Sequence, residues 1–398
     1  MLIKRLLSCM IVGLLALLTG TSTFGQGLAG MQIFAPADVS SYGNGPQPNE
    51  GFFFVFDGLY WTISAPKVVP VGNPNHPRPF EFNSPIPADD DPGHWIIEQH
   101  NELYTGAIKS EFTAGNRLEI GRMNGQHGWM VSVFQMREVV HTSIANDGVA
   151  MEIADPVFGE FSHGLLDGNV GGTNPDPPPS FLIRPLPLTF NTILIQNKDN
   201  TGGIEVDYIH RSNQLHHGGF FEWYIGPRYI EFDESFLAQA DGGILDQSIW
   251  FTTAQNHIIA GQIGARAFNK RGRWMLNAEG RFLAGLNLQN IHQTGFIGSN
   301  LPADHELVGF PLQMTTQHIS HDEFIREFTP GVELRLEARY QVTRSISFRA
   351  GWTALWLDHL ARPSGMIDYT LPDFGILRDK NNQNVLMQGV TIGIDVNR

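Results

Sequence analysis

The chain has 398 residues, of which 42% are hydrophobic and only 17% charged, with 27 Phe, 43 Gly and 1 Cys. It is charge-poor against an average soluble domain, too aromatic for a disordered chain and too poor in Cys for a disulfide scaffold. A net charge of −14 also disfavours a general nucleic-acid binder, whose phosphate contacts need clustered Lys and Arg.

Residues 1–25 read as a secretory signal. Lys4 and Arg5 form a basic start, Leu6 to Leu18 is apolar, and small residues including Thr23 and Gly25 precede a cut near Gln26. The apolar run is short for a spanning helix, which needs about 20 residues. It also continues past Cys9, which argues against lipid attachment there. Loss of Lys4 and Arg5 with the leader takes the charge from −14 to −16 and removes the only Cys. Residues 26–50 are read as a linker and 51–398 as one domain. No later segment is a candidate transmembrane helix, so this domain can enter a membrane only as a closed barrel.

The first candidate strand, Phe52 to Ile63, is aromatic-rich, and the next two, Asn116 to Met123 and Trp129 to Met136, flank the turn-forming Asn124-Gly125-Gln126-His127-Gly128. Crowded prolines from Pro175 to Pro187 argue against a strand there. Ile204, Val206 and Tyr208 then alternate with Glu205 and Asp207. Gly219 to Phe232 places Phe221, Trp223, Ile225 and Tyr229 on one face, with Pro227 weakening its centre. Ile259, Ile263, Ala265 and Ala267 oppose Gln262 and Arg266 before a turn at Asn269 to Gly272. The return run has Trp274, Leu276, Ala278, Phe282 and Ala284 against Asn277, Glu279 and Arg281.

The clearest alternation follows. Val332, Leu334, Leu336, Ala338, Tyr340 and Val342 share one face, and Glu333, Arg335, Glu337, Arg339 and Gln341 the other. Strict period two is the mark of a strand with one apolar and one polar side. Thr343-Arg344-Ser345 turns the chain into Ile346 to Trp356, whose polar face includes Arg349, and Leu386 to Val396 repeats the habit. This makes ten strands. A version with twelve adds Trp95 to Gly106 and Leu188 to Asn197.

Alternation alone leaves two architectures open. A soluble sandwich hides its apolar face, whereas a membrane barrel turns it to lipid. Strand length favours the barrel, as do Trp61, Trp274, Tyr340 and Trp356 near apolar-face ends, where interfacial belts lie. The connections favour it too. Asp358 to Val385, Leu288 to Gly331, Asp233 to Asn256, Arg137 to Gly203 and Ser64 to Gly115 are long, and the links between them short. This is the pattern of extracellular loops and periplasmic turns. The expected fold is therefore all-β, an antiparallel transmembrane β-barrel of about 10–12 strands.

Asn256 to Gly264, Gly272-Arg273-Trp274, Asn277 to Phe282 and Val385 to Arg398 resemble the planctomycete family called Putative beta barrel porin-7, with further likeness in Gly219 to Phe236 and Glu333 to Trp356. The resemblance implies an outer-membrane barrel, with outer-membrane lipid and the barrel-assembly machinery as partners, and carries no catalytic residues. The chain departs from the usual bacterial barrel, which ends in an aromatic residue, by ending Asp395-Val396-Asn397-Arg398.

On the barrel reading, Glu279, Arg281, Glu333, Arg335, Glu337, Arg339 and Arg349 are the expected pore-lining residues. Alternating signs along 333–339 allow them either to line a water-filled passage for small polar solutes or to pair into a plug. A non-conducting barrel that is structural or binds at the surface, and a soluble exported sandwich, are the other readings. No enzyme, cofactor or metal site is expected. His318-Ile319-Ser320-His321 with Asp322-Glu323 has ligand-like residues but is read as a solvated loop. His305-Glu306, His216-His217 and Asp89-Asp90-Asp91 lack the spacing of known sites.

Overall fold

The computed structural model describes residues 50–71, 79–83, 94–98, 104–150, 189–213, 215, 219–241, 247–298, 306–307, 310–311, 317–369 and 375–397. The proposed leader, most of the linker, the proline-rich stretch, His305, His216-His217 and the Asp89 cluster lie outside these residues.

Eleven strand segments build one antiparallel sheet: β1 (Gly51–Ile63), β2 (Phe112–Asn124), β3 (His127–Met136), β4 (Val139–Ala150), β5 (Thr189–Arg211), β6 (Gly219–Asp241), β7 (Ser248–Arg271), β8 (Trp274–Ile297), β9 (Gln317–Gln341), β10 (Ile346–Leu360) and β11 (Gln383–Asn397). Apart from β3 and β4, each pairs with its chain neighbours, β1 pairs with β11, and β3 pairs with β5, so the sheet closes on itself. β3 and β4 run along the same partner, β5, on either side of Arg137-Glu138, and act as one interrupted strand. The ring therefore has ten strands. The β3–β5 and β1–β11 pairings close the wall all round, which is what a bilayer demands of a β-structure, while β4 pairs only with β5 among the described residues.

The two sides of the wall are inverted relative to a soluble protein. Ile225, Leu276, Phe328 and Ile392 point outward and are exposed, the last by 65%, whereas Glu333, Arg339 and Arg349 point inward and are buried. Water on the outside would penalise such an apolar wall, and lipid rewards it. This inversion excludes the sandwich reading and makes the chain a membrane β-barrel.

Two short turns explain the tightness of one end. Asn124 pairs with His127 around Gly125, and Arg271 with Trp274 around Gly272. Both glycines have positive φ, 61° and 59°, as a two-residue hairpin with Gly in first place requires.

Three expectations are corrected. First, the extra strands of the twelve-strand version are absent from the ring. Among the described residues His94–Glu98 pairs only with Pro79–Asn83, and residues 189–197 are the start of β5. Second, much of the connections read as long is strand. β6 to β9 have 23, 24, 24 and 25 residues, so the hairpins project beyond the apolar band. There the outward positions turn polar, as at Glu231, Asp233, Asn290, His292 and Asp322. Inward positions there mix apolar residues such as Phe236, Trp250 and Ala254 with polar ones such as Asn287 and Gln289, so the apolar-out, polar-in alternation is lost while backbone pairing continues. Third, Trp61 faces inward and is buried, donating from Nε1 to Thr391 Oγ1 at 3.4 Å. β1 is aromatic on both faces, which hides its parity. Trp274 does sit outside, with its ring centroid 4.9 Å from that of Tyr340.

Candidate functional site

The interior is filled in layers. Near the turn end, Phe53, Val55, Met123, Met130, Ile209 and Tyr224 form an apolar floor. Above it lies a belt of charge, drawn from every wall. All seven expected lumen residues are in this belt or at its edge, and all are buried, from 1% exposure for Glu333 and Arg339 to 8% for Glu337.

Alternation brings these residues inward, but their partners come from distant strands. Glu333 accepts from Arg335 on its own strand and from Arg228 of β6. Arg335 Nη1 donates to Glu119 Oε1 of β2 at 3.0 Å. Arg281 pairs with Glu279, with Glu205 at 2.8 Å and with Asp207 at 3.3 Å. Arg349 and Arg117 converge on Asp57 of β1, with Arg349 Nε 2.6 Å from Oδ1 and Arg117 Nε 3.0 Å from Oδ2. Glu337 accepts from Asn277 at 3.0 Å and lies 3.5 Å from Arg117. Arg339 Nη1 meets Asp395 at 2.6 Å. Asp57, Arg117, Glu119, Glu205, Asp207, Arg228 and Asp395 are thus equal members of the belt that the clearest alternation did not single out. Their common signal is a charged residue at an inward position.

Over the belt sits a second apolar layer, including Leu59, Trp61, Phe134, Phe232, Leu283, Leu355 and Met387. The described residues between β10 and β11 then pack inside the wall at the loop end. Asn256 holds Ala361 by two bonds, donating to its carbonyl at 2.9 Å and accepting from its N–H at 2.8 Å. Asn287 and Gln289 donate to the carbonyl of His359 at 3.1 and 3.0 Å. Arg362 donates to Glu234 from Nε at 2.6 Å and to the carbonyl of Ser64 from Nη1 at 2.7 Å. Burial alone would lower the Arg362 pKa, but Glu234 and Asp199 outweigh it and raise the pKa, so the guanidinium stays charged.

The histidine motif dissolves as a pair. His318 and His321 lie on β9, not in a loop. Three residues apart on a strand means opposite faces. His318 is exposed beside Phe296, and His292 instead meets Asp322 at 2.6 Å. Among the described residues, no group of three or more His, Cys, Asp or Glu is arranged to hold a metal ion.

Residues 203–396 match the family model described as Putative beta barrel porin-7 (BBP7). The chain is similar to the solved TodX deltaS2S3 mutant monoaromatic hydrocarbon channel, at 9% identity and a TM-score of 0.23, over 91% of this chain and 96% of that one. It is also similar to the toluene transporter TbuX of Ralstonia pickettii, at 8% identity and a TM-score of 0.18, over 91% and 92%. For the outer-membrane expressed OmpT of Vibrio cholerae the values are 6%, 0.16, 87% and 96%. No curated protein matches the chain.

Proposed function

We propose that this protein is a non-catalytic barrel of the outer membrane, closed to passive diffusion in the described state, which displays a binding surface at its loop end. One observation carries the reading: the lumen charges are buried among one another. A water-filled passage would leave pore-lining side chains accessible, whereas Glu333, Arg335, Arg339 and Arg349 are at most 4% exposed. Ring size agrees, since about 8 strands leave room only for side chains and wide channels have 16 or more. Residues 1–25 would export the chain, outer-membrane lipid would surround the apolar wall, and the barrel-assembly machinery would insert it.

A second reading is passive diffusion of small polar solutes after the docked loop and the charged belt rearrange. The match of residues 203–396 to a family described as a porin favours it. Planar-bilayer recording of folded protein decides between the two. The closed reading expects silence under steady voltage, and reproducible ohmic steps would overturn it. Reversal potentials would then give the selectivity.

A further inference from the structure

At the loop end, the segment following β1 and the segment leading into β11 enclose a cavity of about 640 Å³. This volume lies within the range of small-molecule sites, roughly 300–1,000 Å³. Lys67 and Lys380 stand in its wall with the amides of Asn382 and Gln383, and no carboxylate lines it. In a chain of net charge −14, such a wall is distinct from its surroundings. Lys67 has no ion-pair partner among the described residues, and Lys380 has only the exposed Asp379 at 3.5 Å, a contact of little energetic weight. Gln383 is already oriented, because its Oε1 accepts from the Lys67 N–H at 2.9 Å.

Two further lining residues point to a ligand. Ser364 Oγ and Tyr369 Oη are buried and have no hydrogen-bond partner among the described residues. A buried hydroxyl left unpaired is destabilising, and natural structures seldom leave one without cause. Two such groups in the wall of one cavity with two ammonium groups make a set of donors awaiting acceptors.

We propose that this cavity binds a small anionic, hydroxyl-rich solute of the sugar-acid class. The lysines would hold the carboxylate and the amides the ring hydroxyls, with the hydroxyls of Ser364 and Tyr369, occluded in this structure, turning toward the solute as it binds. The inference rests on the surface-binding part of the proposed function. The same chemistry could arrive as a free solute or as the headgroup of a membrane glycolipid.

The test is isothermal titration of the full folded chain in detergent with glucuronate and with glucose. A second arm presents the uronate as a lipid headgroup in vesicles. Saturable binding of glucuronate is expected, at least tenfold tighter than glucose, with a tenfold or greater loss in a Lys67→Ala/Lys380→Ala variant. Tighter binding in the free arm assigns a soluble solute, and tighter binding in the vesicle arm a headgroup. Ser364→Ala is expected to weaken binding about threefold while leaving the apo melting temperature equal or higher, since it removes an unpaired group. No saturable heat in either arm, equal affinity for glucose, or undiminished binding by the double-lysine variant would overturn the proposal. Bilayer silence is measured separately, so loss of this site leaves the closed-barrel reading standing.

Discussion

Arg362 and Glu234, 128 positions apart, form a two-point clasp: Nε meets Oε2 at 2.6 Å and Nη2 meets Oε1 at 3.1 Å, with both side chains fully buried. The clasp ties the segment after β10 to the far wall at β6. It therefore fixes the start of that segment against the inner face of the wall.

Arg362→Ala leaves Glu234 and Asp199 buried without their cation. Breaking one partner from a buried pair costs about 3–5 kcal/mol. The expected result is faster hydrogen exchange and proteolysis across residues 361–382 while the barrel strands stay protected. Unchanged protection of that segment would remove the clasp from the account.

Glu337→Lys places a cation against Arg117, Arg339 and Arg349, which lie 3.5–3.7 Å from the present carboxylate. Repulsion replaces attraction in a site that excludes water. The heat-shifted gel migration of the folded barrel should be lost at a lower temperature than in the wild type. An equally stable variant with altered ion selectivity would instead support a hydrated passage.

Leu334→Arg tests the outer wall. Leu334 is exposed in the middle of the apolar band, between the inward Glu333 and Arg335. A cation near the bilayer midplane costs about 2–4 kcal/mol in a barrel. Urea-dependent folding into vesicles should show a loss of this size, and a change below about 0.5 kcal/mol would place Leu334 in water.

His359→Gly probes the bend that sends the chain into the mouth. His359 has φ 58°, the sole positive value at a non-glycine among the described residues. Its carbonyl is held by Asn287, Gln289 and Thr329. Left-handed backbone costs an L residue roughly 1–2 kcal/mol, which Gly avoids. The variant should keep the loop docked and gain about 0.5–1 kcal/mol, read as a higher unfolding midpoint. A lower midpoint would show that the imidazole itself supports the bend.

The ten strands were legible because a barrel wall separates two solvents, and period two records that separation directly. Glu333 to Arg339 and Glu279 to Arg281 could be placed on one face on this ground alone, and inside once strand length and the connections favoured a barrel. Trp61 could not, since Phe53, Val55, Leu59 and Trp61 are as apolar inward as their neighbours are outward. The projecting ends of β6 to β9 were hidden because their outward faces turn polar while their inward faces mix apolar Phe236 and Trp250 with polar Asn287 and Gln289, which breaks the pattern of the apolar band.

By itself, then, the amino-acid order determined the strands and the split of each into an apolar and a polar face, because both follow from residues two apart, and strand length and connections favoured turning the apolar face to lipid. Only the tertiary structure decided whom the inward charges meet. Arg335 finds Glu119 and Arg349 finds Asp57 across separations of 216 and 292 positions. Such pairings depend on ring size and register, which no local pattern encodes. The same holds for the segment around Arg362: its polar residues read as an ordinary loop until the opposite wall supplies Glu234, Asn256 and Gln289 to hold it inside.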